Sequence, residues 1–246
     1  MRLSDLMEHA RNCKSSDPRD MIYAFLGLMD RPCPILPDYD VSMNTVRTQA
    51  AKYLMQKEQG MDILARARGN KCLTTTNDPL PSWAPDWFGT IDDNPEHDAF
   101  MAQIHPERQQ YQAGGDDLPD VVFDNDRYGN TDRVLEATCL YVDTLGSVFH
   151  DSYGVSKIFE GRNNGEDIQI EVQSNAQSGD EVWVIVGAKE PYLLRRHNQG
   201  ATILGFAMLR VLDGTSWQMS PIMRGSLYDL YKVGDNNIVC ERIRII

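Results

Sequence analysis

The chain has 246 residues, of which 41% are hydrophobic and 9% aromatic, enough to bury a core in one large domain or two small ones. Its formal net charge of -12 argues against nucleic acid and membrane surfaces as partners, because their phosphates would repel it. The five cysteines include no CxxC pair, and no apolar run has the length of a signal peptide core or a membrane helix. We therefore expect a cytoplasmic protein with free thiols.

The first part of the chain is predicted to be helical. Apolar side chains recur at three-to-four spacing in two segments, which predicts amphipathic helices over residues 3–13 and 17–29. Ser16 or Asp17 is expected to cap the free amides of the second helix. Three prolines then predict an extended segment, and Ser42 is expected to open a third helix that runs to about residue 59.

Residues 80–87, LPSWAPDW, contain two prolines and are therefore not expected to form a helix. We expect an extended strap that crosses the surface and pins Trp83 and Trp87 into grooves. The alternative role for the two tryptophans is a platform on which a ligand stacks. Anchoring is the ordinary role of such large side chains, and we expect it here.

Residues 88–133 are rich in Asp and Glu, contain no Lys and have few branched aliphatic side chains. This composition predicts a solvated or partly disordered insertion. A calcium-binding loop is the alternative, but the acidic residues lack the spacing and the closing Glu of an EF-hand. The insertion separates a helical region with its strap, residues 1–87, from residues 134–246.

The last region alternates between apolar and polar side chains in short runs rich in β-branched and aromatic residues, separated by Gly, Asn, Asp and Pro. Such closely spaced runs favour an antiparallel β domain, either a barrel or a sandwich, over a parallel sheet. The predicted fold class is therefore α+β, with N-terminal helices packed on a C-terminal antiparallel β-barrel or sandwich.

Motifs of the common cofactor enzymes do not occur in the sequence. It contains no phosphate loop, dinucleotide fingerprint, GxSxG elbow or HExxH helix, and no pair of histidines has metal-ligand spacing. We expect neither a cofactor nor a metal site. Two acidic pairs, Asp17 with Asp20 and Asp38 with Asp40, lie beside prolines and are expected to stabilise turns and helix starts rather than exchange protons.

Aromatic, methionine and arginine side chains concentrate in the β region, where a small barrel could hold one ligand between apolar walls and a few polar groups. The predicted hydrogen-bond donors, which would act as catalytic residues, are Tyr192, Arg196 and Arg195. The predicted substrate-binding residues are Trp183, Phe206, Met208, Arg210, Trp217 and Met219. Ordinary core packing with exposed arginines is the alternative, and the strand register decides between the two.

Several motifs occur in an order that resembles a known family. They are CKSSDPRDMIYAFLGL, PDYDVS, LPSWAPDW, VLEATCLYVDTLGSV, GDEVWVIVGAKEPYLLRR and LGFAMLRVLDG. Over about Asp5 to Gly214 the chain resembles the region that follows the HET domain in fungal heterokaryon-incompatibility proteins. The resemblance implies a fungal origin. The family's HET domain would lie before Met1, so we expect a stand-alone copy of the companion region without that domain. At GFAMLRVLDGT the chain departs from the family strand, so a ligand or partner of that strand is not implied.

Two functions follow as hypotheses. The first is a cofactor-independent cyclase of fungal secondary metabolism, a pericyclase of the Diels–Alder type recruited from this family, whose substrate is a terpenoid or polyketide. Such an enzyme needs only to orient its substrate and polarise a carbonyl. The alternative is a regulatory or recognition module of a shortened incompatibility protein, which would bind another protein through exposed aromatic and arginine side chains. The sequence favours the enzyme.

Overall fold

The computed structural model describes residues 1–9, 13–58, 60–67, 78–85, 87, 110–115, 120–125, 132–151, 156–163, 165–173, 175–213 and 215–246. Helices come first along the chain and strands dominate the second half, which confirms the predicted α+β fold class. Within the described residues, none of the helices combines the length and apolarity needed to cross a membrane.

The N-terminal helices are α1 (Leu3–His9), α2 (Asp20–Leu26) and α3 (Met43–Lys57), followed by a 3₁₀ segment (Gly60–Arg66). The predicted start of α3 is confirmed, because the Ser42 hydroxyl accepts a hydrogen bond of 3.0 Å from the Thr45 amide. The predicted capping role of Asp17 at α2 is also seen, because its carboxylate accepts a hydrogen bond of 2.9 Å from the Arg19 amide, in the turn directly before the helix.

From residue 121 onwards, the described part of the chain contains eleven strands, one α-helix and one 3₁₀ helix (Pro221–Arg224). The strands are β1 (Val121–Asp124), β2 (Val134–Thr144), β3 (Val148–Asp151), β4 (Ser156–Asn163), β5 (Glu166–Gln173), β6 (Glu181–Ile185), β7 (Pro191–His197), β8 (Gly200–Phe206), β9 (Met208–Asp213), β10 (Ser216–Met219) and β11 (Cys240–Ile245). A short helix, α4 (Ser226–Lys232), lies between β10 and β11, where the sequence analysis expected none.

The strands form two sheets. The larger has the order β1-β2-β11-β8-β7-β6, and β2 also pairs with β6, so five of its six strands close into a ring. The smaller has the order β10-β9-β5-β4-β3. Every pairing is antiparallel except that of β8 with β11. The arrangement thus combines the two predicted alternatives, a closed ring and a second packed sheet.

Alternate side chains of the larger sheet belong to two different cores. On β6, Trp183 and Ile185 join a core shared with the N-terminal helices, whereas Val182 and Val184 join a core shared with the smaller sheet and α4. This is the period-two pattern of a strand buried on both faces. The larger sheet is therefore the middle layer of the protein.

Trp83 of LPSWAPDW is fully buried in the core that joins helices and sheet, as expected for an anchor, but residues 81–84 form a buried turn, in which the Ala84 amide donates to the Pro81 carbonyl at 3.0 Å, and not an extended strap on the surface. The Trp83 indole donates a 3.1 Å hydrogen bond to the Arg133 carbonyl. Ser82 adds two links to the β region: its amide donates to the Ile246 carbonyl, and its hydroxyl accepts from the Ile203 amide, both at 3.1 Å. Trp87 packs against the same core and is only partly buried.

Parts of the predicted acidic insertion are well packed. Tyr111 and Ala113 are buried, and the Gln112 amide donates a 2.8 Å hydrogen bond to the Met223 carbonyl. For residues 110–115 the prediction of a solvated loop is therefore wrong. Residues 121–124 form strand β1, and Arg133 is buried. Residues 88–109, 116–119 and 126–131 of the predicted insertion lie outside the described residues.

Candidate functional site

Three of the predicted pocket residues lie side by side across neighbouring strands of the larger sheet. Trp183 pairs with Tyr192 between β6 and β7, and Tyr192 pairs with Phe206 between β7 and β8. All three side chains are buried in the core that includes the helices, and Met208 belongs to the same core. They pack against helical and strand residues, as in the core-packing alternative.

The other predicted substrate-binding residues lie on the smaller sheet. Arg210 pairs with Met219 between β9 and β10, and the guanidinium of Arg210 is 4.0 Å from the Glu171 carboxylate. Met219 packs against the second core, and Trp217 is half-buried on the edge strand β10. The structure therefore separates Trp217 and Met219 from the Trp183 cluster, whereas the Arg210 guanidinium donates a 3.8 Å hydrogen bond to the sulfur of Met208, which is also on β9.

The predicted donors all face carboxylates of the protein itself. The Tyr192 hydroxyl donates a 3.3 Å hydrogen bond to the buried Glu190. The Arg195 guanidinium donates two hydrogen bonds, of 2.8 and 2.9 Å, to the buried Asp180 carboxylate, in the bidentate geometry that arginine favours. These contacts tie strand β7 to its neighbours.

Arg196 makes a similar network at the surface. Its guanidinium bonds to Glu181 on β6 at 2.8 Å and to Glu241 on β11 at 2.7 Å, and it lies 5.0 Å from the centroid of the Trp183 ring. Arg196 also borders a polar surface hollow of about 440 Å³, lined in addition by His197, Asn198, Gln199 and Ile246. The hollow offers little apolar surface to a ligand.

A more suitable site for a small molecule lies on the helical half. There, the segment 34–41 and the outer side of α3 enclose an open groove of about 430 Å³, a volume within the range of ligand sites. We call it the α3 groove. Its lining residues are Pro34, Ile35, Leu36, Asp38, Val41, Gln49, Lys52, Tyr53, Gln56 and Lys57.

The two walls of the α3 groove differ in chemistry. The wall formed by residues 34–41 is mostly apolar. The α3 wall carries residues 49, 52, 53, 56 and 57, whose spacing places them on one face of a helix, and all five side chains bear a hydrogen-bond donor. A molecule in the groove would meet hydrocarbon on one side and donors on the other.

Tyr53 is a buried member of the donor wall. Burial and then the nearby carboxylate of Glu58 raise the pKa of its hydroxyl above the ordinary value. Tyr53 therefore keeps its proton at neutral pH and can donate a hydrogen bond. Lys52, by contrast, pairs with Asp132 at 2.7 Å and lies 5.3 Å from the centroid of the Phe123 ring.

The stretch SDPRD, which opens the second helix, holds the apolar wall in place. Arg19 pairs with Asp17 at 2.7 Å, and the same guanidinium donates hydrogen bonds to the carbonyls of Tyr39 and Val41, the latter at 2.9 Å. It also lies 5.2 Å from the centroid of the Tyr39 ring. The Tyr23 hydroxyl adds a 2.9 Å hydrogen bond to the Asp38 carbonyl. We call these contacts the Arg19 clamp.

The sequence analysis did not find the α3 groove. The polar residues of α3 have the spacing of an ordinary solvated helix face, and the PDYD motif is typical of a turn. The one signal was an apolar segment, 34–36, between prolines and shortly before a predicted helix. Among the described residues, no three His, Cys, Asp or Glu side chains lie close enough together to hold a metal ion.

No protein-family model, curated protein or solved structure matches the chain. The geometry of the α3 groove is therefore the basis of the function proposed for it.

Proposed function

We propose that this protein is a cofactor-independent cyclase that binds a small apolar substrate in the α3 groove and promotes an intramolecular cycloaddition. The observation that carries the proposal is the groove of about 430 Å³ with an apolar wall facing a wall of donors. Pockets for small molecules have this composition, mostly apolar surface with a few placed polar groups.

The reaction places few demands on the protein. A Diels–Alder cycloaddition forms two carbon–carbon σ bonds from two π bonds of the substrate, so no proton, electron or second reactant is exchanged. The protein contributes by holding the reacting carbons in a folded, near-attack arrangement, which lowers the entropic part of the barrier. The apolar wall, with Leu36 and Val41, would supply this shape restriction.

The donor wall would add electrostatic stabilisation. Negative charge grows on an activating carbonyl as the cycloaddition proceeds, and a placed donor stabilises that charge. The Tyr53 hydroxyl already has the Glu58 carboxylate as a hydrogen-bond partner. Gln49 and Gln56 are exposed on the groove face of α3, and their side-chain amides make no hydrogen bond within the described part of the chain. We assign the contact with the substrate carbonyl to Gln49 and Gln56.

A catalytic role for Tyr192, Arg195 and Arg196 stays a prediction. Each already faces a carboxylate of the protein, so a substrate would have to compete for the same donors. The order of sequence motifs that resembles the region after a HET domain supports recruitment from that fungal family. A terpenoid or polyketide substrate and a cytoplasmic location are parts of the proposal that go beyond this resemblance.

A recognition module that binds another protein is the second candidate. The observation that favours it is the exposure of two large side chains beside the groove, Leu36 at 78% and Tyr39 at 52%. Exposed apolar and aromatic side chains of this kind often anchor a protein partner. In this alternative the groove would receive a side chain of the partner.

The cyclase is tested with linear trienes that carry an α,β-unsaturated carbonyl, incubated with the purified chain and no added cofactor. We expect faster formation of the cyclic product than in buffer. Gln56→Leu keeps the size of the side chain but removes the donor. It should slow the reaction by about tenfold, less than for a donor in a closed site because the groove is open to water. Gln177→Leu, outside the groove, is the matched control. Equal rates with and without protein over the whole panel would leave the recognition module as the function.

A further inference from the structure

We propose that the ligand of the α3 groove is an amphipathic carboxylate, whose acid group lies at the end formed by Arg31 and Lys57. Its hydrocarbon part lies along the apolar wall. The inference rests on the proposed function, because it takes the α3 groove as the ligand site. It adds the chemical class and the orientation of the ligand.

The two ends of the groove can be told apart by the path of the chain. Val41 lies two residues before the start of α3, so the Asp38–Val41 end of the apolar wall is beside the N-terminal part of the helix. At the other end, Pro34 lines the groove together with Lys57, the last residue of α3. The segment therefore runs back along the helix, with Pro34 near Lys57.

The Pro34 end carries two cations. Lys57 is the last residue of α3 and lines the groove, and Arg31 lies three residues before Pro34 on the segment that leads into the apolar wall. In the part of the chain that the structure describes, neither Arg31 nor Lys57 forms an ion pair. Both side chains are exposed and thus free to meet a ligand.

The nearest carboxylate at this end is already occupied. Glu58 accepts hydrogen bonds of 2.9 Å from the amides of Leu3 and Ser4, so it stabilises the first turn of α1. Its negative charge remains near Tyr53 and Cys33 and partly offsets the two positive charges at this end. A ligand carboxylate can satisfy Arg31 and Lys57 without displacing a contact of the protein.

The opposite end has the opposite charge. Asp38 lines it and bonds to the Asp40 amide at 2.8 Å, and Lys52 between the ends is paired with Asp132. An anionic group is therefore repelled from the Asp38 end and attracted to the Lys57 end. The overall charge of -12 makes a local pair of free cations a distinctive feature of this surface.

The test uses decanoic acid, methyl decanoate and decylamine, titrated into the full chain at neutral pH and followed by calorimetry. We expect the acid to bind about fivefold more tightly than the ester, and the amine most weakly, as for a solvent-exposed ion pair. Added salt should weaken the binding of decanoic acid and leave the affinity of methyl decanoate unchanged. Lys57→Gln and Arg31→Gln should each weaken the binding of the acid but not that of the ester. Lys14→Gln, which replaces an exposed lysine outside the groove, should change neither affinity.

The outcomes separate this inference from the proposed function. If none of the three probes binds, the α3 groove is not a ligand site, and the proposed function falls with it. If acid and ester bind equally, or if Lys57→Gln and Arg31→Gln leave the acid affinity unchanged, the groove binds apolar molecules and the carboxylate assignment is wrong. Tight binding of the amine would also overturn the assignment.

Discussion

Arg133 connects three parts of the protein through a single side chain. Its guanidinium is 7% exposed and donates hydrogen bonds of 2.8 Å to the Pro79 carbonyl and 3.2 Å to the Thr45 hydroxyl, besides an ion pair with Asp78. Its carbonyl accepts the hydrogen bond of Trp83. The strap, α3 and the start of β2 therefore meet at one residue.

Arg133→Ala should lower the free energy of unfolding by about 3 kcal/mol, because it removes the partner of Asp78 and leaves the groups around it without a donor. Urea unfolding followed by circular dichroism measures the change. Arg162→Ala removes an arginine whose ion pair with Asp167 is exposed, and it should leave stability unchanged. Equal stability of the two variants would show that the Arg133 network is not structural.

The two tryptophans of the strap give a second comparison at the scale of single residues. Trp83 is fully buried, whereas Trp87 is only partly buried. Trp83→Ala should therefore cost about 3 to 5 kcal/mol of stability, and Trp87→Ala clearly less. Thermal and urea unfolding of both variants measure this order. A Trp83→Ala protein with an unchanged melting temperature would remove the strap from the elements that hold the fold together.

The N-terminal helices show which features of an element the sequence can predict. The apolar periodicity identified α1, α2 and α3, and the Ser42 cap of α3 depends on a contact only three residues away. The ion pair of Asp17 with the Arg19 guanidinium could not be found in this way. Its carboxylate binds Arg19, whose other donors reach carbonyls of Tyr39 and Val41, about twenty residues further along the chain.

The Arg19 clamp leads to a prediction about the α3 groove. Arg19→Ala should weaken the binding of decanoic acid several-fold, because residues 38–41 lose the donors that fix them against α2. Calorimetric titration measures this change. Since the clamp is at the surface, the melting temperature should change little. Arg2→Ala removes a comparable exposed arginine that pairs with Asp5, and it is the control. Wild-type affinity in Arg19→Ala would show that the wall keeps its position without the clamp.

The clamp should also respond to acid. Hydrogen bonding to the Arg19 side chain is the main cause that lowers the pKa of Asp17 in the folded protein. The pair is therefore intact above the unfolded value of about 3.9 and is lost as the pH falls below it, through the folded pKa. Because decanoic acid itself becomes neutral near that pH, methyl decanoate is the better probe. Its affinity should fall below about pH 4 in the wild type and much less in Arg19→Ala.

At the scale of the whole molecule, the order of helices and strands was predictable, whereas the closure of the sheet was not. Strand β11 lies at the end of the chain but inserts between β2 and β8, and no local pattern specifies such a pairing. The predicted site shows the same limit. The β region does contain grouped arginines and aromatic residues, but their partners Asp180, Glu181 and Glu241 are fixed by strand register.

Cys139 allows a test of this middle layer as a unit. The residue lies on β2 in the core shared by helices and sheet, and burial is the main cause that raises the pKa of its thiol from 9.0 to about 12. In the unfolded chain the thiol ionises near its ordinary pKa. The folded state thus retains a proton that the unfolded state loses between about pH 9 and pH 12, and stability falls with rising pH across this range.

Other groups also titrate in this range. The wild type is therefore compared with Cys139→Ala, which lacks the thiol but retains all the other titrating groups. The stability advantage of the wild type over this variant should be constant up to about pH 9. Above that it should shrink, by at most about 1.4 kcal/mol per pH unit. Urea unfolding in the presence of a reductant, at about pH 7 and then in steps to about pH 10.5, measures the free energy of unfolding of both proteins as a function of pH.

Cys13→Ala removes an exposed thiol and is the control, and its free energy of unfolding should change with pH in parallel with that of the wild type. A difference between wild type and Cys139→Ala that stays constant up to about pH 10.5 would mean that water reaches the thiol, and that the layer between β2 and the helices opens without global unfolding.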